Sequence, residues 1–566
     1  MNGAAPLAME IYREMVPPGE PTQVRRKAAG RDLRLGREPR GNVLQRSFMS
    51  DSGKQIGRAS LILMASVLLS RVLGLVREMA IAWIGGVSSD VDAYQIAFLV
   101  PEILNHASGS GFLSITFIPI FTRCLMSGNE EEGWRSLSVI LYGFGLLMAA
   151  ALGLAWIFTE ELLHWLAPGL HDPAVLKAAV RMSRILLPAQ GCFFIGGLFS
   201  AVQYARGHFL FPALAPLVYN AGIITGGLLL GRWIGMEGFS WGVLAGALIG
   251  HLVLQWFGAR RVGMKWCGPV RLRHPVLKQY LLTTLPLILG MGMSFSTEIF
   301  YRFFGSYLTP GSISAINYGL RIVFMLAGVF GQAVGTAAYP HLSRLAAEGN
   351  MEELNRVLGT TIRYLAFIIP VSVLLIVLRH EIVMVLFQRG NFDPDATILT
   401  ASLLPWILIG SFAFSAQSLV VRGYYALQNT LTPSLLGTMV ALGCIPLFFL
   451  LMKGFGAAGV AFGLSAAAWL QIAILYGVWA RTHPHPDHVR LLRTIGILAL
   501  VGAAIGMLLE PLRQGVYAVL PTMPAMVSGL LVCCIVGGGF VLIMMLIGRW
   551  IHLEGWQVLV RKIGRF

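Results

Sequence analysis

PIFTRCLMSGNEEEGWR at residues 119–135 returns 221 positions later as PHLSRLAAEGNMEELNR at residues 340–356. Pro119, Arg123, Gly128, Asn129, Glu131, Glu132 and Arg135 recur as Pro340, Arg344, Gly349, Asn350, Glu352, Glu353 and Arg356. The same offset carries Asp172-Pro173 onto Asp393-Pro394, Tyr204-Ala205 onto Tyr425-Ala426, and Pro212 onto Pro433. Separated blocks on one offset indicate a duplication.

The duplicated material is membrane protein. Of 566 residues, 56% are hydrophobic and 12% charged, with a mean hydropathy of +0.70; soluble domains carry about twice that charge fraction. A bilayer core takes roughly 20 apolar helical residues to cross. That window predicts about fourteen spans, numbered here in chain order: roughly 60–84, 90–121, 137–159, 176–204, 211–232, 237–258 and 276–305. The rest are roughly 311–341, 358–378, 397–426, 433–452, 456–479, 491–511 and 524–550. The offset lays span two on span eight and span four on span ten. An even shift keeps both copies in one orientation, related by an axis along the membrane normal.

The expected fold class is therefore an all-α polytopic membrane protein with two parallel six-helix repeats plus two additional C-terminal helices. The N-lobe covers 58–270, the C-lobe 271–485, and spans thirteen and fourteen with a cytoplasmic tail 486–566. Residues 1–57 are basic and rich in Arg, Gly and Pro, which predicts a disordered cytoplasmic extension. The first 48 residues lack the apolar run of a cleaved signal peptide, and Met49 offers an alternative start.

The formal net charge of +16 sits in loops and tails, where it orients the protein instead of recruiting nucleic acid. The connection with Arg260, Arg261, Lys265, Arg271, Arg273 and Lys278 is the most basic. It predicts a multi-pass inner-membrane protein with both termini in the cytoplasm. Six scattered cysteines offer neither metal spacing nor a disulfide framework. His483, His485 and His488, around Pro484 and Pro486, read as a solvated turn and not a metal site. Ser108-Gly109-Ser110-Gly111 lacks the strand, Lys and helix of a phosphate-binding loop. The spans present no facing carboxylates, metal cluster or nucleophile with its base, so no enzyme and no cofactor are expected.

Charge inside the spans points to a site. A cation at mid-membrane costs about 2.5–3.5 kcal/mol on insertion scales and normally faces a cavity or a partner. Arg71 lies roughly 17 Å from one end of span one and 21 Å from the other, too deep to snorkel. Arg77 lies about 9 Å farther along, about 120° around the helix, and Glu78 returns to the face of Arg71. Pairing of Arg77 with Asp90 or Asp92 is the plainer alternative. Gly74 between the two arginines allows close packing or a bend. Span two opens on Asp92 and carries Pro101, Glu102, Asn105, His106, Gly109 and Gly111; Gly and Pro interruptions of this kind mark transporter sites. Glu102 and His106 stand four residues apart, as do Glu298 and Arg302 in span seven, and either could be a self-contained pair. Arg321 in span eight has no such partner on its own helix. Arg71, Arg77 and Arg321, supplied by both lobes, would form a cationic chamber whose forks match phosphate oxygens.

Ser70-Arg71-Val72-Leu73-Gly74-Leu75-Val76-Arg77-Glu78, then Asp92-Ala93-Tyr94, Pro101, Phe117-Ile118-Pro119, Arg321 and Phe392-Asp393 resemble the MurJ/MviN family of the MATE-like (MOP) transporter superfamily. The resemblance covers about residues 58–553 and implies a flippase for lipid II, the undecaprenyl-pyrophosphate-linked peptidoglycan precursor. It also implies alternating access, spans thirteen and fourteen as a groove for the polyprenyl tail, membrane lipids as surroundings, and the cell-wall synthesis machinery as a partner. By the match, Arg71, Arg77 and Arg321 are cavity arginines, Asp92 is the acidic residue opening the second helix, and Ser70 is the serine before the first arginine. The second helix departs from the pattern: Leu99 stands for a basic residue, Asn105-His106 for an Arg pair, and Ser110-Gly111 for Glu-Gly. Leu320 replaces an Asp, while Glu298 and Arg302 are extra. These departures keep open a flippase for another lipid-linked oligosaccharide, as in exopolysaccharide export, and a MATE-like drug or cation antiporter of the same superfamily.

Overall fold

The computed structural model describes residues 41–107, 113–267, 274–289, 292–519 and 524–550. All regular structure among them is helical. The duplication is a repeat of helix punctuation. Gly128 (φ +72°) and Gly349 (φ +71°) turn the chain through the left-handed region at the end of spans two and eight. The next residues, Asn129 and Asn350, then cap the following helices by accepting from the backbone N–H of Glu132 and Glu353. Asp172 and Asp393 cap spans four and ten in the same way, each with proline in the first turn. Gly235 (φ 59°, ψ −136°) ends span five, and Gly456 (φ 56°, ψ −131°) breaks the 52-residue helix Leu431–Thr482 into spans eleven and twelve.

Every segment expected to span contains helix, but their construction is uneven. Among the described residues eight helices are long and apolar enough to cross a membrane, nine when Pro394–Leu408 and Ser411–Ala426, bent by 45°, count as one. Span two breaks at Phe98, between Ser89–Ala97 and Leu99–Ala107, and is helical again over Leu113–Met126; span seven is helical over Pro275–Leu289 and Gly292–Gly305. Span eight runs Ser312–Ala327, a π-helical turn Gly328–Gln332, and Ala333–Ala347. Spans two, seven and eight carry four of the six charged residues of the site described below, and span one carries the other two. Span one belongs to a longer helix, Gly41–Gly85, which begins within the stretch expected to be an irregular extension. Residues 1–40, Gly109, Gly111 and the tail after Trp550 lie outside the described residues.

The apolar cores show how the lobes meet. The basic connections lie at one end of the bundle, where each lobe has its own cluster. Phe117, Trp134 and Phe194 form one in the N-lobe, and Leu354, Phe412 and Trp479 another in the C-lobe. At the opposite end a single cluster joins both, uniting Ile81, Val91 and Ile96 with Ile313, Ile316 and Phe392. The first half of span seven crosses over at the basic end, stacking Tyr280 edge-on against Phe144 at 5.4 Å. The lobes are thus sealed together at one end and separately packed at the other.

Spans thirteen (in Asp487–Val519) and fourteen (in Ala525–Trp550) pack on the flank of span nine, where Val377 and Leu378 meet Ile505, Leu509, Val532 and Val536. Both ends are fastened by charge. Arg513 and Tyr517 donate to the buried Glu381 at 2.7 and 2.9 Å, and Arg363 lies 3.3 Å from Asp487. In the turn before span thirteen, one ring nitrogen of His488 lies 2.8 Å from the Tyr476 hydroxyl and the other 2.9 Å from the His483 carbonyl.

Candidate functional site

A cavity of about 430 Å³ lies between the lobes. Span one supplies Arg77 and Glu78, span two Gln95, Glu102, Asn105 and His106, spans four and five Gln190 and Tyr219. The C-lobe supplies Glu298, Arg302 and Arg321. Arg77 donates to Asn220 at 3.2 Å and to Glu78 at 2.7 Å. The other Glu78 oxygen accepts from Asn317, and Arg321 approaches Glu78 at 3.5 Å and Glu298 at 3.8 Å. Glu298 in turn lies 3.3 Å from Arg302, whose fork takes both oxygens of Glu102 at 2.5 and 3.3 Å. Charges therefore alternate from one lobe to the other: Arg77, Glu78, Arg321, Glu298, Arg302, Glu102.

That alternation corrects the expectation of a cationic chamber. Three arginines and three glutamates line the cavity, and their formal charges cancel. Arg321 has no partner on its own helix, as expected, but finds Glu78 and Glu298 on spans one and seven. Glu298 and Arg302 are not self-contained, because Arg302 reaches across the lobes to Glu102. Arg302 is only 1% exposed, so the paired carboxylates are what make its burial tolerable. Glu102 and His106 do not pair through their side chains; the His106 ring nitrogen sits 2.7 Å from the Glu102 backbone carbonyl. Arg77 turns to Glu78 and not to Asp90 or Asp92. Capacity is left over all the same: Nε of Arg302, Nε of Arg321 and Oε2 of Glu298 are buried without an aligned hydrogen bond among the described residues.

Other residues expected at the site stand around it. Asp92 lies outside the cavity lining, and its two carboxylate oxygens accept the backbone N–H groups of Gly311 and Ser314 at 2.6 and 2.7 Å. It caps the start of span eight from the other lobe, where the helix dipole favours an anion. Tyr318 donates to the Gly86 carbonyl, and the Asn391 backbone N–H to that of Trp83, so with the two Asp92 bonds at least four hydrogen bonds between lobes close this end. Ser70 accepts from Asn220, which also holds Arg77, and so stands behind the first arginine. Arg71, expected in the chamber, lies outside the cavity lining, against Gly328 in the π-helical turn of span eight, where a Cβ would collide with its guanidinium. Asn220 and Asn317 were not singled out in the sequence. Each is a lone amide in an apolar helix, and Asn317 precedes Arg321 by one turn.

Comparison with known proteins agrees with this architecture. A sequence model described as "Lipid II flippase MurJ" matches residues 81–527. The "Probable lipid II flippase MurJ" of Rhizobium meliloti is 26% identical over 457 residues, 77% of this chain and 83% of its own length. The "Lipid II flippase MurJ" of Burkholderia cenocepacia is 27% identical over 464 residues, 79% of this chain and 88% of its own. Among solved structures, "Lipid II flippase MurJ, inward closed conformation" matches with a TM-score of 0.69 at 24% identity, over 86% of this chain and all but 1% of that one, covering 99%. An inward-facing multidrug resistance MATE family transporter of the MOP superfamily matches with a TM-score of 0.61 at 15% identity, over 76% of this chain and 98% of that one. These two likenesses establish the fold, and the family match over most of the chain establishes descent: this multi-pass membrane protein belongs to the MurJ lipid II flippase family.

Proposed function

We propose that the protein carries lipid II across the bacterial inner membrane by alternating access of its two lobes, without covalent chemistry. The basic end and both termini then face the cytoplasm, and the end closed by Asp92 faces outward. The observation that carries this reading is the interleaving of Arg77, Arg302 and Arg321 from both lobes with Glu78, Glu102 and Glu298. A pyrophosphate presents the same kind of oxygens as those carboxylates and more charge, so it competes for the guanidinium forks. Two of the displaced pairs, Glu78 with Arg321 and Glu102 with Arg302, are bonds between lobes. Substrate binding therefore exchanges direct ties for a bridging anion, and this differential contact is what lets a ligand bias one conformation over another.

The polyprenyl tail, which is of the undecaprenyl type in this reading, stays in the bilayer. The apolar flank where spans thirteen and fourteen pack on span nine is its proposed track. Cell-wall synthesis enzymes that consume the head group would draw the reaction outward.

The test is transport by purified protein in vesicles, with lipid II in one arm and an undecaprenyl-pyrophosphate-linked exopolysaccharide unit in the other. Lipid II movement that falls at least tenfold in Arg321→Gln supports the reading, since a hydrogen bond to a charged group contributes about 1.5–3 kcal/mol. Movement of the exopolysaccharide unit alone would replace lipid II as the cargo.

A further inference from the structure

Span eight carries positive charge at regular steps. Arg321, Gly328 and Gly335 are seven residues apart, or about 10 Å per step along a helix. Arg321 contributes its own guanidinium. Gly328 receives that of Arg71 from span one, and Gly335 receives that of Arg422 from span ten; a Cβ at either glycine would collide with the guanidinium resting there. Three helices from both lobes thus bring three arginines onto one helix. The outermost, Arg422, is half-buried and lies four residues from the end of the helix Ser411–Ala426, about 6 Å from its basic end. A side chain as long as arginine's, that close to the end of a membrane helix, is within snorkelling reach of a bilayer surface.

Resting on the transport function proposed above, we infer that Arg422 is a substrate-positioning residue at the cytoplasmic mouth. It receives the phosphate of a lipid head group at the membrane surface and passes it toward Arg71 and then Arg321. Arg422 stands about 10 Å farther toward the basic end than Arg71, by the spacing of Gly328 and Gly335 on which the two guanidiniums rest. Steps of that length let one pyrophosphate exchange between neighbouring forks while its tail remains in the bilayer. Gly335 serves this arrangement by leaving the space the guanidinium fills.

The same phosphate chemistry could come from lipid II or from an anionic phospholipid, and the experiment separates them. Full-length protein is reconstituted in phosphatidylcholine vesicles with and without phosphatidylglycerol, and transport is followed as a function of lipid II content. Arg422→Gln should raise the half-saturating lipid II content about five- to tenfold with the maximal rate within about twofold of wild type, in both membranes. Arg422→Lys should recover most of the loss. Gly335→Ala, which keeps the charge but displaces the guanidinium, should produce the same kind of shift. Unchanged half-saturation in Arg422→Gln overturns the inference, as does a loss confined to maximal rate and thermal stability, the signature of a mere tether between spans eight and ten. A shift seen only with phosphatidylglycerol present assigns Arg422 to bulk phospholipid and also overturns it. Wild-type protein that moves no lipid II would instead remove the transport reading on which the inference rests.

Discussion

Arg302 depends on Glu102, which stands 200 residues away in the chain and in the other lobe. Removing one partner of a buried ion pair costs up to about 3–5 kcal/mol when the survivor is stranded, and less here because Arg302 keeps Glu298 at 3.3 Å. Glu102→Ala should therefore lower the thermal unfolding midpoint in detergent. Replacing both residues with methionine should recover most of that stability without recovering transport, and equal transport by the double variant would show the pair to be structural only. Gln428 offers a change of opposite sign. It adopts φ +59° without being glycine, at the position matching Gly207 (φ +74°) of the first repeat. Gln428→Gly should stabilise by about 1 kcal/mol in the same unfolding assay. The sequence revealed the arginines, since any cation in an apolar span stands out, but not their neutralisation. Pairing across lobes leaves no local spacing, and Glu298 is shared between Arg302 and Arg321 only because spans seven and eight lie side by side.

The beginning of span eight is held by an anion from another lobe. Asp92 satisfies two backbone N–H groups that Ser312–Ala327 could not satisfy internally. Asn in its place keeps one acceptor and loses the charge, at a cost of about 1–2 kcal/mol. Asp92→Asn should therefore open the closed end more often. A cysteine introduced as Val87→Cys, beside Gly311, would then react with a membrane-impermeant thiol reagent several-fold faster from outside; an unchanged rate would show that the apolar seal alone holds the gate. The duplication was readable because helix caps use few residue types, so Gly128-Asn129 and Gly349-Asn350 survive divergence. The break at Phe98 in span two and the π-helical turn of span eight were not readable from hydropathy, because a window average passes over a broken turn. Only the Pro and Gly residues of span two hinted at one.

Across the whole molecule, apolar packing is continuous between the two repeats at the closed end and separate at the basic end. Spans thirteen and fourteen ride on the C-lobe through Glu381 and Asp487, so they should move with it. Arg513→Ala strands the buried Glu381, leaving it the Tyr517 hydroxyl, and should increase hydrogen exchange in Asp487–Val519 while exchange in the N-lobe stays as in wild type. A rise spread evenly over both lobes would contradict this division of the molecule. The two additional helices were legible as a remainder outside the repeat; their seat on span nine was not, because Glu381 lies in a connection of mixed charge that hydropathy leaves unassigned. The most direct measurement is complementation of a bacterial strain depleted of its lipid II flippase, with lipid II exposure on the outer leaflet as the readout. The cavity account predicts rescue by the wild-type chain and its loss in Arg77→Gln, Arg302→Gln and Arg321→Gln at equal membrane abundance. Full rescue by all three variants would contradict it.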